Sequence, residues 1–192
     1  MRITAMVVMA GLAGMSAHAG QIEETVTVFL SNTAIVPSQI MFVSQSLAAR
    51  MFVSAGVRIV WRSGWPANLR SSRDRTIVVK LTNNTPANYL PGVPAYALPY
   101  QGEQITVFYD RVEQTVFPSA VPTLLAHLLV HEITHILQGI ARHSESGVMK
   151  PHWDRNDYMA MEKKPLPFTE KDVDLIHRGF ALGAGALVAS AQ

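Results

Sequence analysis

Residues 118–138 read PSAVPTLLAHLLVHEITHILQ, a stretch that opens on a proline and runs into Gly139. Leu124, Leu125, Leu128, Leu129, Ile136 and Leu137 cover much of a helical circumference, which predicts a helix buried on most sides. Gly139 is its natural stop, because glycine adopts the left-handed conformation that ends many helices. Two histidines and a glutamate interrupt the apolar run as His131-Glu132-Ile133-Thr134-His135. Polar groups in a buried helix are costly unless something compensates them. Placed four residues apart, the two imidazoles project from one face and can reach a single cation. Zinc accepts imidazole nitrogens at about 2.0–2.1 Å in tetrahedral geometry. Glu132, next after the first of them, stands where a carboxylate can take a proton from a zinc-activated water.

A catalytic zinc needs a third protein donor. Beyond Gly139 the chain presents Arg142-His143-Ser144, and His143 lies eight residues past His135, near enough for a reversed chain to return to the metal. Glu145 and His152 are alternative donors, since both oxygen and nitrogen suit zinc. His127, one turn before His131, reads as a packing or supporting residue, because a donor a further turn away is hard to bring to the same ion. Trp153 and Asp154 follow closely enough to surround the ligands, Asp154 as an acceptor that orients an imidazole. Tyr158 reads as packing.

The rest of the chain sets the frame. Among 192 residues, 48% are apolar, 16% are charged and none is cysteine. Arg2, the apolar run Ile3 to Met15 and the triplet Ala17-His18-Ala19 form a basic start, a short hydrophobic core and a small-residue cleavage signal. Residues 1–19 are therefore expected to be a secretory signal peptide, shorter than a bilayer span requires. Residues 20–192 are expected to form a single catalytic domain, in the periplasm or the external medium. The absence of cysteine excludes disulfides, thiol catalysis and thiolate-bound metal. Without Arg2, 15 basic side chains face 14 acidic ones, and no basic run supports nucleic-acid binding. No D-x-D-x-D-G loop for calcium is present.

Period-two alternation from Glu24 to Leu30 predicts a strand, and Pro37 opens an amphipathic helix that runs to Ala55, before Gly56. Val57–Trp61 and Thr76–Leu81 read as two more strands. Residues 82–103, with four prolines, two glycines and three asparagines, read as a surface loop. Gln104–Asp110 reads as a fourth strand at the sheet edge. An irregular stretch follows the active-site helix. Thr169-Glu-Lys-Asp172 then opens a last helix with an N-cap and early acidic residues, and the Ala- and Gly-rich tail 181–192 is expected to fray.

These residues resemble the metzincin zinc-protease signature, and its matrixin branch in particular. The likeness rests on His131-Glu-x-x-His135, a glycine, a third His followed by Ser, and Gly147-Val-Met149-Lys-Pro151. Phe168-Thr-Glu-Lys-Asp172-Val is similar to the opening of that family's last helix. The resemblance implies an α+β, zincin-like fold: a mixed β-sheet, an N-terminal helix, a buried active-site helix and a C-terminal helix. It also implies zinc on His131, His135 and His143, Glu132 as general base, and Met149 in a turn beneath the metal. Peptide substrate would extend along an edge strand carrying Ile105, Val107 and Tyr109. The implied activity is that of an exported, monomeric zinc endopeptidase acting on peptides or proteins. A zinc hydrolase of another amide and a non-catalytic zincin-fold binding module are the competing readings. The family places glycine three and histidine six residues after the second ligand, whereas here Gly139 is four and His143 eight after His135. The third ligand thus hangs on a turn two residues longer. Matrixin latency through a propeptide cysteine has no counterpart in a chain without cysteine.

Overall fold

A computed structural model describes residues 24–66, 75–85, 95–97 and 104–189, with the backbone alone described at 95–97 and 183–189. The expected signal peptide lies outside these residues. Five strands form one sheet: β1 (Glu24–Asn32), β2 (Val57–Ser63), β3 (Arg75–Thr82), β4 (Ala95–Ala97) and β5 (Gln104–Phe108). Their order is β2-β1-β3-β5-β4, parallel throughout except that β4 runs antiparallel to β5. Helix α1 (Ser38–Val53) connects β1 to β2, as a parallel pair requires. Helices α2 (Tyr109–Thr115), α3 (Val121–Gln138), α4 (Arg155–Lys163) and α5 (Glu170–Ala189) follow β5.

The architecture is the expected α+β one, and the core lies between the sheet and α3. Every residue of α3 except Pro122 and Thr123 is buried, against α1 on one side and α5 on another. Each buried leucine of this helix contributes about 1.5–3 kcal/mol relative to exposure. Pro118–Gln138 is long and apolar enough to cross a membrane by composition, and 89% of its most apolar stretch is enclosed by the protein.

Four expectations are corrected. The expected surface loop 82–103 contains β4, which pairs with β5 through Ala95 opposite Val107 and Ala97 opposite Ile105. The strand carrying Ile105 and Val107 therefore lies between β3 and β4 and is not the edge. That strand also stops at Phe108: Tyr109 opens α2 and is buried, so it offers no strand pairing. The irregular stretch after the active-site helix contains α4.

One crossing fixes how α5 meets α3. A Cβ at Gly179 would overlap the carbonyl oxygen of Leu137, so only glycine lets the two backbones approach so closely. Arg75 seals the junction, donating from Nη1 to the Leu137 carbonyl at 2.8 Å and from Nη2 to the Gly179 carbonyl at 2.9 Å. The Leu137 carbonyl belongs to the last turn of α3, where no intrahelical partner exists. Gly179→Ala is expected to lower stability by roughly 1–3 kcal/mol, the usual cost of overpacking. Urea denaturation checks this, and an unchanged midpoint would contradict the crossing as described.

Candidate metal centre

Helix α3 presents His131 and His135 on one face, and Gly139 ends the helix as expected, at φ 66° with its N–H donating to the His135 carbonyl at 3.0 Å. The reversed chain brings back His143. One ligand atom from each of His131, His135 and His143 lies within 4.8 Å of the others, and among the described residues this group can hold a metal ion. The longer turn therefore still delivers the third imidazole, whose ring centre is 5.2 Å from that of His131 and 4.9 Å from that of His135. Glu145 and His152 are exposed and stand outside this group.

The two helical rings are held through their rear nitrogens. His131 Nδ1 lies 2.9 Å from the Val148 carbonyl oxygen and His135 Nδ1 3.2 Å from that of Ile140. A carbonyl only accepts, so in each ring Nδ1 carries the proton and Nε2 presents a lone pair. The two Nε2 atoms face each other at 3.1 Å. Two lone pairs at that separation repel, and a cation between them removes the repulsion. Tetrahedral zinc with nitrogens at about 2.0–2.1 Å would separate neighbouring donors by about 3.3–3.4 Å, close to the spacing already present. Three neutral imidazoles are also a donor set that zinc prefers.

Protonation favours the same state. Burial above all pushes His131 down to about 4, with His135 and His143 lowering it further against the Val148 bond and the charge of Asp172. His135 is likewise pushed down to about 4 by burial and then by His143, against the Ile140 bond and Asp172. Burial, then the neighbouring His152, lowers His143. All three rings are thus neutral at neutral pH, the form that binds metal. Glu132 is 7% exposed on the same helix.

The remaining candidates sort by contact. His127 is fully buried, donating from Nδ1 to the Thr123 carbonyl at 2.7 Å and accepting at Nε2 from the Leu166 N–H at 3.1 Å. Both nitrogens are used, which fits the packing role. Trp153 meets the rings of His131 and His127 edge-on, at 5.6 and 6.2 Å between centres. Asp154 does not orient an imidazole. It caps α4 by accepting from the Asn156 and Asp157 N–H groups, with Asp157 closing a capping box, and it pairs with Lys150 at 2.9 Å. Tyr158 packs against the core. Met149 is fully buried, and its carbonyl accepts from the Ser144 N–H at 2.8 Å. The residue before it, Val148, supplies the carbonyl that holds His131.

The sequence reading missed one functional contact. Asp172, noted only as an early acidic residue of the last helix, has a fully buried side chain. Burial alone would raise its pKa, but bonds from Ser144, Thr169 and Arg142 outweigh it and hold the carboxyl below its usual range. The acidic residue near a helix start is visible in the sequence; its reach across 28 residues to Ser144 is not.

The histidine shifts carry a sign. Rings that resist protonation when folded leave the unfolded chain with more bound protons between about 6.5 and about 4. Stability of the metal-free chain must then fall as pH drops through that window. Thermal melts in chelator check this, and a melting temperature that stays level or rises on acidification would contradict it.

No family model matches the chain, and no curated protein matches it in sequence. Its fold does have a solved counterpart. The crystal structure of archaemetzincin from Methanopyrus kandleri is 14% identical, with a TM-score of 0.57, and the match covers 85% of this chain and 99% of that one. The chain therefore has a zincin-like α+β fold, with a three-histidine group able to hold metal, two of whose members stand on its most buried helix.

Proposed function

We propose that the chain is an exported zinc-dependent endopeptidase. The observation that carries this reading is the convergence of His131, His135 and His143 in a group able to hold one ion, with Glu132 on the same helix. A purely structural zinc site has no use for a base beside its ligands. Zinc, when bound, would supply an acidified water and polarise the substrate carbonyl. The Glu132 carboxylate would be the group that accepts a proton from water and passes it to the leaving amine nitrogen. Its near-complete burial keeps that exchange out of bulk solvent. Export rests on the leader-like pattern of residues 1–19.

The resemblance to matrixins at His143-Ser144 and Gly147–Pro151 supports peptide as the substrate, with Met149 beneath the metal. Substrate pairing moves from β5 to β4, which among the described residues is the outer strand on that side and packs against α3. A peptide laid beside β4 would extend the sheet through main-chain hydrogen bonds. The working unit is a monomer that binds peptide or protein and no nucleic acid.

Glu132→Gln is expected to keep one equivalent of zinc and to lose cleavage of denatured protein by at least about 100-fold, the lower end of a general base's contribution. Metal analysis and a chelator-controlled digestion check both halves. Undiminished turnover in this variant would overturn the base assignment. Wild-type chain that carries zinc but cleaves no member of a peptide library would overturn the endopeptidase reading in favour of a binding module or another amide substrate.

A further inference from the structure

His143 is the ligand that α3 does not carry. Its exposed side chain sits on a non-helical stretch after Gly139, two residues longer than the matrixin-like spacing, and a longer turn has more conformations to lose when metal binds. The residues on either side of it are nevertheless tied to a single atom. Arg142 Nη1 donates to Asp172 Oδ1 at 3.0 Å and Ser144 Oγ donates to the same oxygen at 2.6 Å. Arg142 Nη1 also lies 3.2 Å from Ser144 Oγ, which closes a three-membered knot around the position of His143.

The other carboxylate oxygen faces the opposite way. Asp172 Oδ2 accepts from Thr169 N–H at 3.0 Å and from Thr169 Oγ1 at 2.6 Å, while the Asp172 N–H is 3.2 Å from Thr169 Oγ1. This reciprocal cap fixes Asp172 at the start of α5, and Gln138 Nε2 reaches its carbonyl at 3.2 Å from the end of α3. A rigid helix start thus holds the carboxylate, and the carboxylate holds the turn. Ser144 passes the restraint on, since its N–H donates to the Met149 carbonyl beside the Val148 carbonyl that orients His131.

We infer that Asp172 is the positioning residue of the third ligand: through Arg142 and Ser144 it fixes the backbone of His143 before metal arrives. The inference rests on the zinc reading above, and only on His143 being one of the donors. A neutral amide cannot replace the carboxylate, because both of its oxygens face donors. Asparagine would have to turn its NH₂ group toward either Thr169 or the Arg142–Ser144 pair.

The test is zinc affinity, measured by competition with a chromophoric chelator on the full folded chain, with circular dichroism as the check on folding. His143→Ala establishes the contribution of the third ligand. Ser144→Ala and Asp172→Asn are expected to weaken zinc binding by about 10- to 100-fold, as loss of a ligand's supporting partner does. Ser144→Thr, which keeps the hydroxyl, should restore most of it. The decisive comparison is the pair of double variants with His143→Ala, in which neither second change should weaken binding further. Equal losses with and without His143 would show that Asp172 acts on the whole fold and would overturn the positioning role. Full affinity in Ser144→Ala and Asp172→Asn would overturn it too, leaving the zinc site standing. An unchanged affinity in His143→Ala would instead overturn the ligand assignment itself. Should Asp172→Asn fail to fold, the Ser144 variants carry the same comparison.

Discussion

Two imidazole nitrogens, His131 Nε2 and His135 Nε2, face each other at 3.1 Å on a helix buried along nearly its whole length. That juxtaposition is unfavourable unless something positive lies between the rings. It cannot be relieved by rotation, because each ring is held from behind by a backbone carbonyl. Nor is it relieved by protonation near neutral pH, because burial pushes both rings down to about 4. The fold maintains an electrostatic demand for a cation, and the segments after α3 surround it.

Those segments are few and each has a distinct task. The left-handed turn at Gly139 places the Ile140 carbonyl behind His135. The turn at 144–149, closed by the Ser144–Met149 bond, places the Val148 carbonyl behind His131. Between them His143 enters from outside the helix, with its neighbours bound to a carboxylate on α5. Helix α5 can lie close enough to supply that carboxylate because Gly179 lets it cross α3 at backbone contact. A stability feature of the crossing and a geometric feature of the metal centre are thus the same packing decision.

The sequence is legible where the signal is local and dense. The apolar circumference of residues 118–138, the i, i+4 histidines and the glycine stop all depend on neighbours within a turn or two, and each appears as expected. Strands β1 and β2 likewise alternate buried and more exposed positions, and β3 is a nearly continuous apolar run. What escapes is short or defined by a distant partner. Strand β4 has three residues inside a proline-rich stretch and exists by pairing with β5. That pairing moves Ile105 and Val107 from the edge to the interior, which no pattern within 104–110 can reveal. Helix α4 fully buries only Met161, with Tyr158 half-buried one turn before it, so its apolar face is narrow. Its signal was the Asp154-x-x-Asp157 capping box, in which Asp154 reads equally well as a partner for a ligand imidazole. Asp172 is plain as an early acidic residue of the last helix and opaque as a brace for His143, since its two oxygens serve different parts of the chain.

Diffraction at the zinc edge, on crystals of the full chain grown with zinc, tests the central claim most directly. A single strong anomalous peak is expected, with three nitrogen neighbours at about 2.0–2.1 Å, one each from His131, His135 and His143. A zinc-loaded crystal with no peak among these three rings, or with a peak bound by His131 and His135 while His143 points elsewhere, would contradict it.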